Sequence, residues 1–268
     1  MPESSTLIGL PTKVHLRTKV SPSNKGLFIA FAGLFFAAVL GYYFTSVPTR
    51  STLPYSHTAG VVVENGKIYI IDWFRKMLYV HKKTRGLPLV NVEVLPNDFL
   101  TGLAFSADKI WTSNGIGAEI QEHQRTTDHP VSTRVPSPGK NPTGLYFDGT
   151  DLWSLDDISK KLTRHRGNDI EEIKESFQLP SIEVTALASN KSRMWILSKK
   201  SREIHVFRVG DPVKQTAAYD LDPFLKGATP TGLFMEGSHV WLTTENPAQL
   251  LCLSRRKVMR SPAASNTL

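Results

Sequence analysis

The sequence predicts an all-β fold, a five-bladed β-propeller, and two observations carry that expectation. The first is a recurring line. Thr143–Trp153 reads TGLYFDGTDLW, Thr101–Trp111 reads TGLAFSADKIW, Thr185–Trp195 reads TALASNKSRMW and Thr231–Trp241 reads TGLFMEGSHVW. A fainter copy, AGVVVENGKIY, occupies Ala59–Tyr69. The starts at 59, 101, 143, 185 and 231 lie 42, 42, 42 and 46 residues apart, and an aromatic always falls ten residues after the start. A fixed period of this size makes each copy one supersecondary unit. The second observation is the content of the period. It holds four short β-prone runs separated by turn signals, the make-up of a propeller blade.

In the third unit, strand a is expected at Gly144–Phe147, b at Leu152–Leu155, c at Lys160–His165 and d at Glu175–Leu179. Between a and b stand Asn65-Gly66, Ala107-Asp108, Asp148-Gly149, Asn190-Lys191 and Glu236-Gly237. These suit hairpin turns, because Asn, Asp and Gly tolerate positive φ. The repeated aromatics Tyr69, Trp111, Trp153, Trp195 and Trp241 are expected to pack blade against blade. Strand d ends in an apolar residue and a proline: Leu95-Pro96, Val135-Pro136, Leu179-Pro180 and, more loosely, Leu221-Asp222-Pro223. Leu53-Pro54 carries the same mark ahead of the first unit, whereas the fifth unit has no d strand of its own. Arg50–Leu53 is therefore expected to complete the last blade. Closing the ring removes sheet edges that template aggregation.

Gly26–Phe44 is nineteen residues without a charge. As a helix it extends about 28 Å, close to the bilayer hydrocarbon thickness. The run is too long for a signal-peptide core and no small-x-small site follows, so it reads as an uncleaved signal anchor. Lys13, Arg17, Lys19 and Lys25 precede it, and Arg50 alone stands close behind. The positive-inside rule then leaves the N-terminus in the cytoplasm and the propeller periplasmic or extracellular. Gly33, Ala37 and Gly41 share one helix face, a stripe that permits a homodimer. The expected organisation is a cytoplasmic polar segment at 1–25, the anchor at 26–44, the propeller at 50–258 and a flexible tail at 259–268.

Of the formal charge of +8, residues 1–49 hold +3 and the remainder +5, including the cluster Arg255, Arg256, Lys257 and Arg260. A mildly basic domain without a basic–aromatic stripe does not suit nucleic acid. The single cysteine, Cys252, excludes an intrachain disulfide framework and a multi-cysteine zinc site. GxSxG, HExxH, CxxC and P-loop motifs are absent. Gly115-Ile116-Gly117 reads as a b–c turn.

Three sets of repeated positions are candidates for function. His81, His123 and His165 fall twenty-two residues after their starts, on separate blades, beyond the reach of one metal ion. Asp72, Asn114 and Asp156, with Ser198 and Thr244, follow each start by thirteen and stand at the funnel mouth, where such side chains also cap turns. His57, Phe99, Asn141, Glu183 and Thr229 precede each start by two, on loops that converge on the axis. His57, Asn141 and Glu183 suit a common ligand or an oxygen-seeking cation such as Ca²⁺, with Glu183 as a base. No other cofactor is expected. Function belongs where the copies disagree, just before each start and just after each strand b.

The phrases PTGLYFDGTDLWSLDDISKKLTRH and PTGLFMEGSHVWLTTENPAQLLCL resemble the repeat shared by streptogramin-lyase-like, gluconolactonase-like and NHL propellers, in which P-x-G-L/I leads to D/N-G-x-L-W. The resemblance runs over residues 50–254 and implies the propeller fold. Streptogramin lyases are built from seven blades where this chain shows five units, and their catalytic histidine has no counterpart here. The expected function is a membrane-anchored module that binds a partner protein or small ligand on its loop face, within a membrane complex or alone. The alternative is a lactonase- or lyase-like enzyme using His57, Glu183 and a cation.

Overall fold

The computed structural model describes residues 31, 34–36, 46–96, 99–190, 193–210 and 213–264. The chain divides into two compact units, Met1–Tyr43 and Phe44–Leu268. In the first, Phe31 and residues 34–36 are helical and exposed. No helix among the described residues is long and apolar enough to cross a membrane. Most of the span expected at 26–44, with Gly33, Ala37 and Gly41, lies outside the described residues.

The second unit is a five-bladed propeller, and each blade is a four-stranded antiparallel sheet. Blade 1 holds β2 (Thr58–Glu64), β3 (Lys67–Asp72), β4 (Met77–Lys82) and β5 (Leu89–Val94). Blade 2 holds β6 (Leu100–Phe105), β7 (Lys109–Asn114), β8 (Glu119–Gln124) and β9 (Val131–Pro136). Blade 3 holds β10 (Pro142–Phe147), β11 (Asp151–Asp156), β12 (Lys161–Arg166) and β13 (Asp169–Gln178). Blade 4 holds β14 (Ala186–Asn190), β15 (Arg193–Ser198), β16 (Glu203–Arg208) and β17 (Lys214–Asp220). Blade 5 takes β18 (Thr229–Glu236), β19 (His239–Glu245) and β20 (Gln249–Ser254) from the end of the chain and β1 (Arg50–Thr52) from its beginning. β1 pairs with β20 in the register Arg50 to Leu251 and Thr52 to Gln249, which closes the ring.

The second strand of each blade is buried on both faces, its polar residues such as Thr112, Ser113 and Ser154 included. The apolar core is divided into clusters that each join two adjacent blades; Trp111 and Leu145 meet between blades 2 and 3, and Tyr55 and Trp241 between blades 1 and 5. The five repeated aromatics are all buried, from 0 to 8% exposed, which gives them the packing role their spacing suggests. Three of the four indoles reach an acid with their N–H: Trp111 to Glu122, Trp153 to Asp148 and Trp241 to Glu236.

Toward the axis, β2, β6, β10, β14 and β18 touch in succession and return to β2. The glycine of the repeated line makes this approach. A Cβ on Gly232 would fall 2.0 Å from the Ala59 carbonyl oxygen, and one on Gly144 would fall 2.8 Å from the Leu187 nitrogen. Blade 4 carries Ala186 at this place.

Two boundaries differ from expectation. β13 begins at Asp169, six residues before the expected start of that d strand. Within the segment expected as a flexible tail from 259, residues as far as Ala263 pair with blade 4. Asp220 N–H donates to Ser261 O, Ala263 N–H donates to Ala218 O, and Pro262 bridges Tyr219. Backbone groups of residues 261–263 thus pair with the outer edge of β17, within the segment expected as a tail; 265–268 lie outside the described residues.

Candidate functional site

At the axis lies a cavity of about 230 Å³ to which all five blades contribute. Thr58, Thr101, Thr143, Thr185 and Thr231 form its hydroxyl-bearing wall. In four blades this is the threonine that opens the repeated line; in blade 1 it is displaced by one residue, with Ala59 at the start. Several of these hydroxyls tie the ring together. Thr101 Oγ1 donates to Pro142 O at 2.6 Å, from blade 2 to blade 3. Thr58 Oγ1 donates to Thr244 O at 3.0 Å and lies 3.1 Å from Thr231 Oγ1, joining blades 1 and 5.

The rest of the lining is unlike from blade to blade. Trp73, Lys199 and Glu245 all stand fourteen residues after their starts, just beyond strand b, and Phe99 stands two before. The Trp73 and Phe99 rings meet with centroids 5.1 Å apart. Glu245 Oε1 accepts from Trp73 Nε1 at 2.9 Å, and its Oε2 lies 3.6 Å from Lys199 Nζ. The Glu245 side chain is 14% exposed and that of Lys199 43%, so the acid sits deeper and the cation at the mouth. The cavity thus offers an aromatic wall, a hydroxyl ring and one loosely paired cation.

Of the residues singled out from sequence, none of His57, Asn141, Glu183, Asp72, Asn114 or Asp156 is part of this lining. His57 stands behind it. Its ring packs edge-on against Trp73 at 5.1 Å and tilted against Phe74 at 4.9 Å, which supports the aromatic wall. Glu183 accepts from Ser198 Oγ and from Lys200 N–H at the β15–β16 turn. Asn141 donates its backbone N–H to Asp156 and accepts from Asp157 N–H. Asp72, Asn114 and Asp156 cap the turns that follow their strands. Asp72 accepts from Phe74 and Arg75 N–H, Asn114 from Ile116 and Gly117 N–H, and Asp156 from Ser159 N–H. Asp72 keeps one buried carboxylate oxygen without a partner. Among the described residues no three His, Cys, Asp or Glu side chains assemble a metal donor set.

Trp73, Lys199 and Glu245 escape a motif search because their position reads Trp, Gly, Asp, Lys and Glu across the five copies. The signal that points to them is this disagreement within an otherwise repeated line.

His81, His123 and His165 do one structural task three times. Each lies opposite a backbone carbonyl through Nδ1: Leu87 O at 2.8 Å, His129 O at 3.1 Å and Ile170 O at 3.0 Å. A carbonyl only accepts, so Nδ1 carries the proton and Nε2 accepts from Tyr55, Thr112 or Ser154. Each imidazole therefore ties the third strand of its blade to the turn that leads into the fourth or, in blade 3, to the start of β13. Burial disfavours the charged ring and lowers all three pKa values, that of His123 to about 4.

No protein-family model matches the chain, and no curated protein matches it. Solved structures do. Glutaminyl cyclase from Myxococcus xanthus aligns with a TM-score of 0.60 at 14% identity, over 78% of this chain and 92% of that one. A chain of a nidogen/laminin complex aligns with a TM-score of 0.51 at 12% identity, over 71% and 73%. Virginiamycin B lyase from Staphylococcus aureus aligns with a TM-score of 0.48 at 19% identity, over 75% and 68%. At these identities the likeness is one of fold, the propeller that the repeat-level resemblance implies.

Proposed function

We propose that the protein is a membrane-anchored binding module whose propeller takes a small ligand into its axial cavity, with residues 26–44 as the tether. One observation supports this reading above others: Trp73, Phe99, Lys199 and Glu245 converge on a cavity that all five blades share, at positions where the repeat is otherwise free to vary. The chemistry suits a ligand with an apolar body for the Trp73–Phe99 wall and an anionic group for Lys199. At 3.6 Å from Glu245, the Lys199 ammonium is near enough to be steered and loose enough to turn to a ligand. His57 supports the wall, and Asn141, Glu183, Asp72, Asn114 and Asp156 hold the loops that frame the mouth. No cofactor enters this reading. The loop face around the mouth remains the proposed surface for a partner protein.

The test is a titration of the full chain with small carboxylates bearing apolar groups of increasing size, read by tryptophan fluorescence and by melting temperature. A ligand that binds the folded state raises Tm by mass action. Lys199→Ala and Trp73→Ala should each abolish that rise. If every compound leaves Tm unchanged at millimolar concentration, or the rise survives both substitutions, the cavity is not the site. An enzyme reading has one observation in its favour, the Glu245 carboxylate set inside the cavity beside a cation. Turnover lost on Glu245→Gln with binding retained would support it.

A further inference from the structure

The outermost strand of a blade pairs on one side only, so its other edge presents free backbone amides and carbonyls unless something guards it. In blade 1, Leu95 N–H donates to Lys76 O, which turns the odd-numbered positions of this strand toward β4. Val92 and Val94 then present their backbone outward. Val90 stands at the irregularity between Leu89 and Asn91. Val90, Val92 and Val94 are 54, 42 and 63% exposed.

The other four blades treat this edge differently. At the positions equivalent to the three valines, β9 carries Ser132, Arg134 and Pro136, and β13 carries Lys174, Ser176 and Gln178. Charge and proline are the usual guards of an edge. In β17 the edge at Ala218 and Asp220 is covered by residues 261–263. In blade 5 the outer strand is β1, only three residues long. Among the described residues, β5 alone offers a long, apolar and uncovered edge.

The sequence of that edge says what covers it. Val90–Val94 reads VNVEV. Antiparallel pairing with a second copy, centred on Val92, sets Val92 against Val92, Val90 against Val94 and Asn91 against Glu93. The one charge in the run therefore meets an amide and never its own copy. Within one chain Asn91 Nδ2 donates to Glu93 Oε1 at 2.8 Å while Glu93 Oε2 meets His129 Nε2 of blade 2, so Oε1 is the oxygen that an amide of the second copy would share. Asn91 Oδ1 meanwhile accepts from Val92 N–H at 3.0 Å, and this cap is the group that gives way to the second copy's carbonyl. An unrelated extended partner would require no such symmetry. We infer that β5 is a homodimerisation edge, through which two propellers join β5 to β5 about a twofold axis at Val92. The contact is isologous, with the same patch on both copies, and it closes at two. It does not depend on what the axial cavity binds.

Cysteine cross-linking of the full chain in detergent tests the geometry. Opposed residues in a hydrogen-bonded antiparallel pair have Cα atoms about 5.5 Å apart, within disulfide reach. In a Cys252→Ser background, Val92→Cys should give a covalent dimer under mild oxidation, and Arg134→Cys, the equivalent place on blade 2, should not. Val92→Lys with Val94→Lys should weaken self-association about tenfold or more, because like charges then face each other across the pair. At a dilution where both chains are monomeric, Tm should be the same for that exposed double variant as for the wild type. A single-chain mass by sedimentation at tens of micromolar would overturn the inference. So would a dimer that survives the double lysine variant and cross-links through Gly33→Cys, or a Val92→Cys chain captured by a different protein.

Discussion

Blades 1 and 2 are printed from the same line of sequence, and the two ends of each blade behave differently. Toward the axis they are alike: Gly60 approaches Leu103 and Gly102 approaches Leu145, each glycine against the leucine of the next blade. Toward the rim their outward-facing positions part company. β5 shows three valines where β9 shows Ser132, Arg134 and Pro136. An axial position is enclosed by a neighbouring copy, so a change there must be accommodated by a second backbone at van der Waals distance. A rim position faces solvent or a partner and can diverge alone. The loops at the cavity mouth follow the rim, which is why Trp73, Lys199 and Glu245 differ from their counterparts. Repetition marks what holds the ring, and divergence marks where it meets something else.

The largest break in that comparison is to open the ring itself. Removing residues 46–52 takes away β1, Thr49 O as acceptor for Cys252 N–H, and the outer cover of β20. A fall in Tm of about 10 °C, with aggregation through the bared edge, is expected by differential scanning fluorimetry and light scattering. A monomer with unaltered Tm would show that blade 5 stands without its N-terminal strand.

The next largest effect belongs to the axial glycine. Gly232→Ala places a methyl 2.0 Å from the Ala59 carbonyl oxygen, so two inner strands must separate. The cost should be about 3 kcal/mol in urea unfolding. The turn glycine Gly66, at φ +71 with open space around it, should lose only about 1 kcal/mol on the same substitution. Equal losses at the two sites would mean that close approach at the axis is not what selects glycine.

How far the sequence exposes this architecture depends on the same distinction. Ring closure was legible because Leu53-Pro54 repeats a mark that ends four other strands, and the blade count was legible from the period. The C-terminal docking was not, since Pro262 meets Tyr219 through one local bridge with no repeat to announce it. The repeated threonines tie adjacent blades together and also line the cavity, which a β-branched residue in a strand does not announce, since it signals only its propensity for the strand. Asp72, Asn114 and Asp156 were marked by their register but not by their partners, and it takes the turn geometry to show that each receives backbone N–H groups. Trp73 and Lys199 had no repeated counterpart to make them visible.

A pH titration separates the repeated histidines from the rest of the framework. In the unfolded chain His123 ionises near its ordinary value of 6.5, and in the fold near 4. Between these values the unfolded state binds the extra proton, so stability is fully present above about pH 6.5 and falls as pH drops toward 4. For His123 alone the loss approaches about 3 kcal/mol, with further losses of the same sign from His81 and His165. The check is urea unfolding at pH 7 and pH 5 for the wild-type chain and for His123→Gln. The variant should be weaker at pH 7 and should show a shallower decline. An identical decline in both would remove His123 from the acid response.

The smallest effect on stability should come from the mouth of the cavity. Lys199 is 43% exposed and 3.6 Å from its acid, so Lys199→Ala should cost about 0.5 kcal/mol or less. Glu245→Gln keeps a carbonyl oxygen that can accept from the Trp73 indole at 2.9 Å, and it too should leave the fold intact. The two substitutions therefore test the division between axis and mouth from its other side. A framework residue fails this test by unfolding the ring, whereas a mouth residue passes by changing only what the cavity accepts. If Lys199→Ala instead lowers Tm as far as Gly232→Ala does, the Lys199–Glu245 pair is a brace between blades 4 and 5, and the divergence at this position serves the ring.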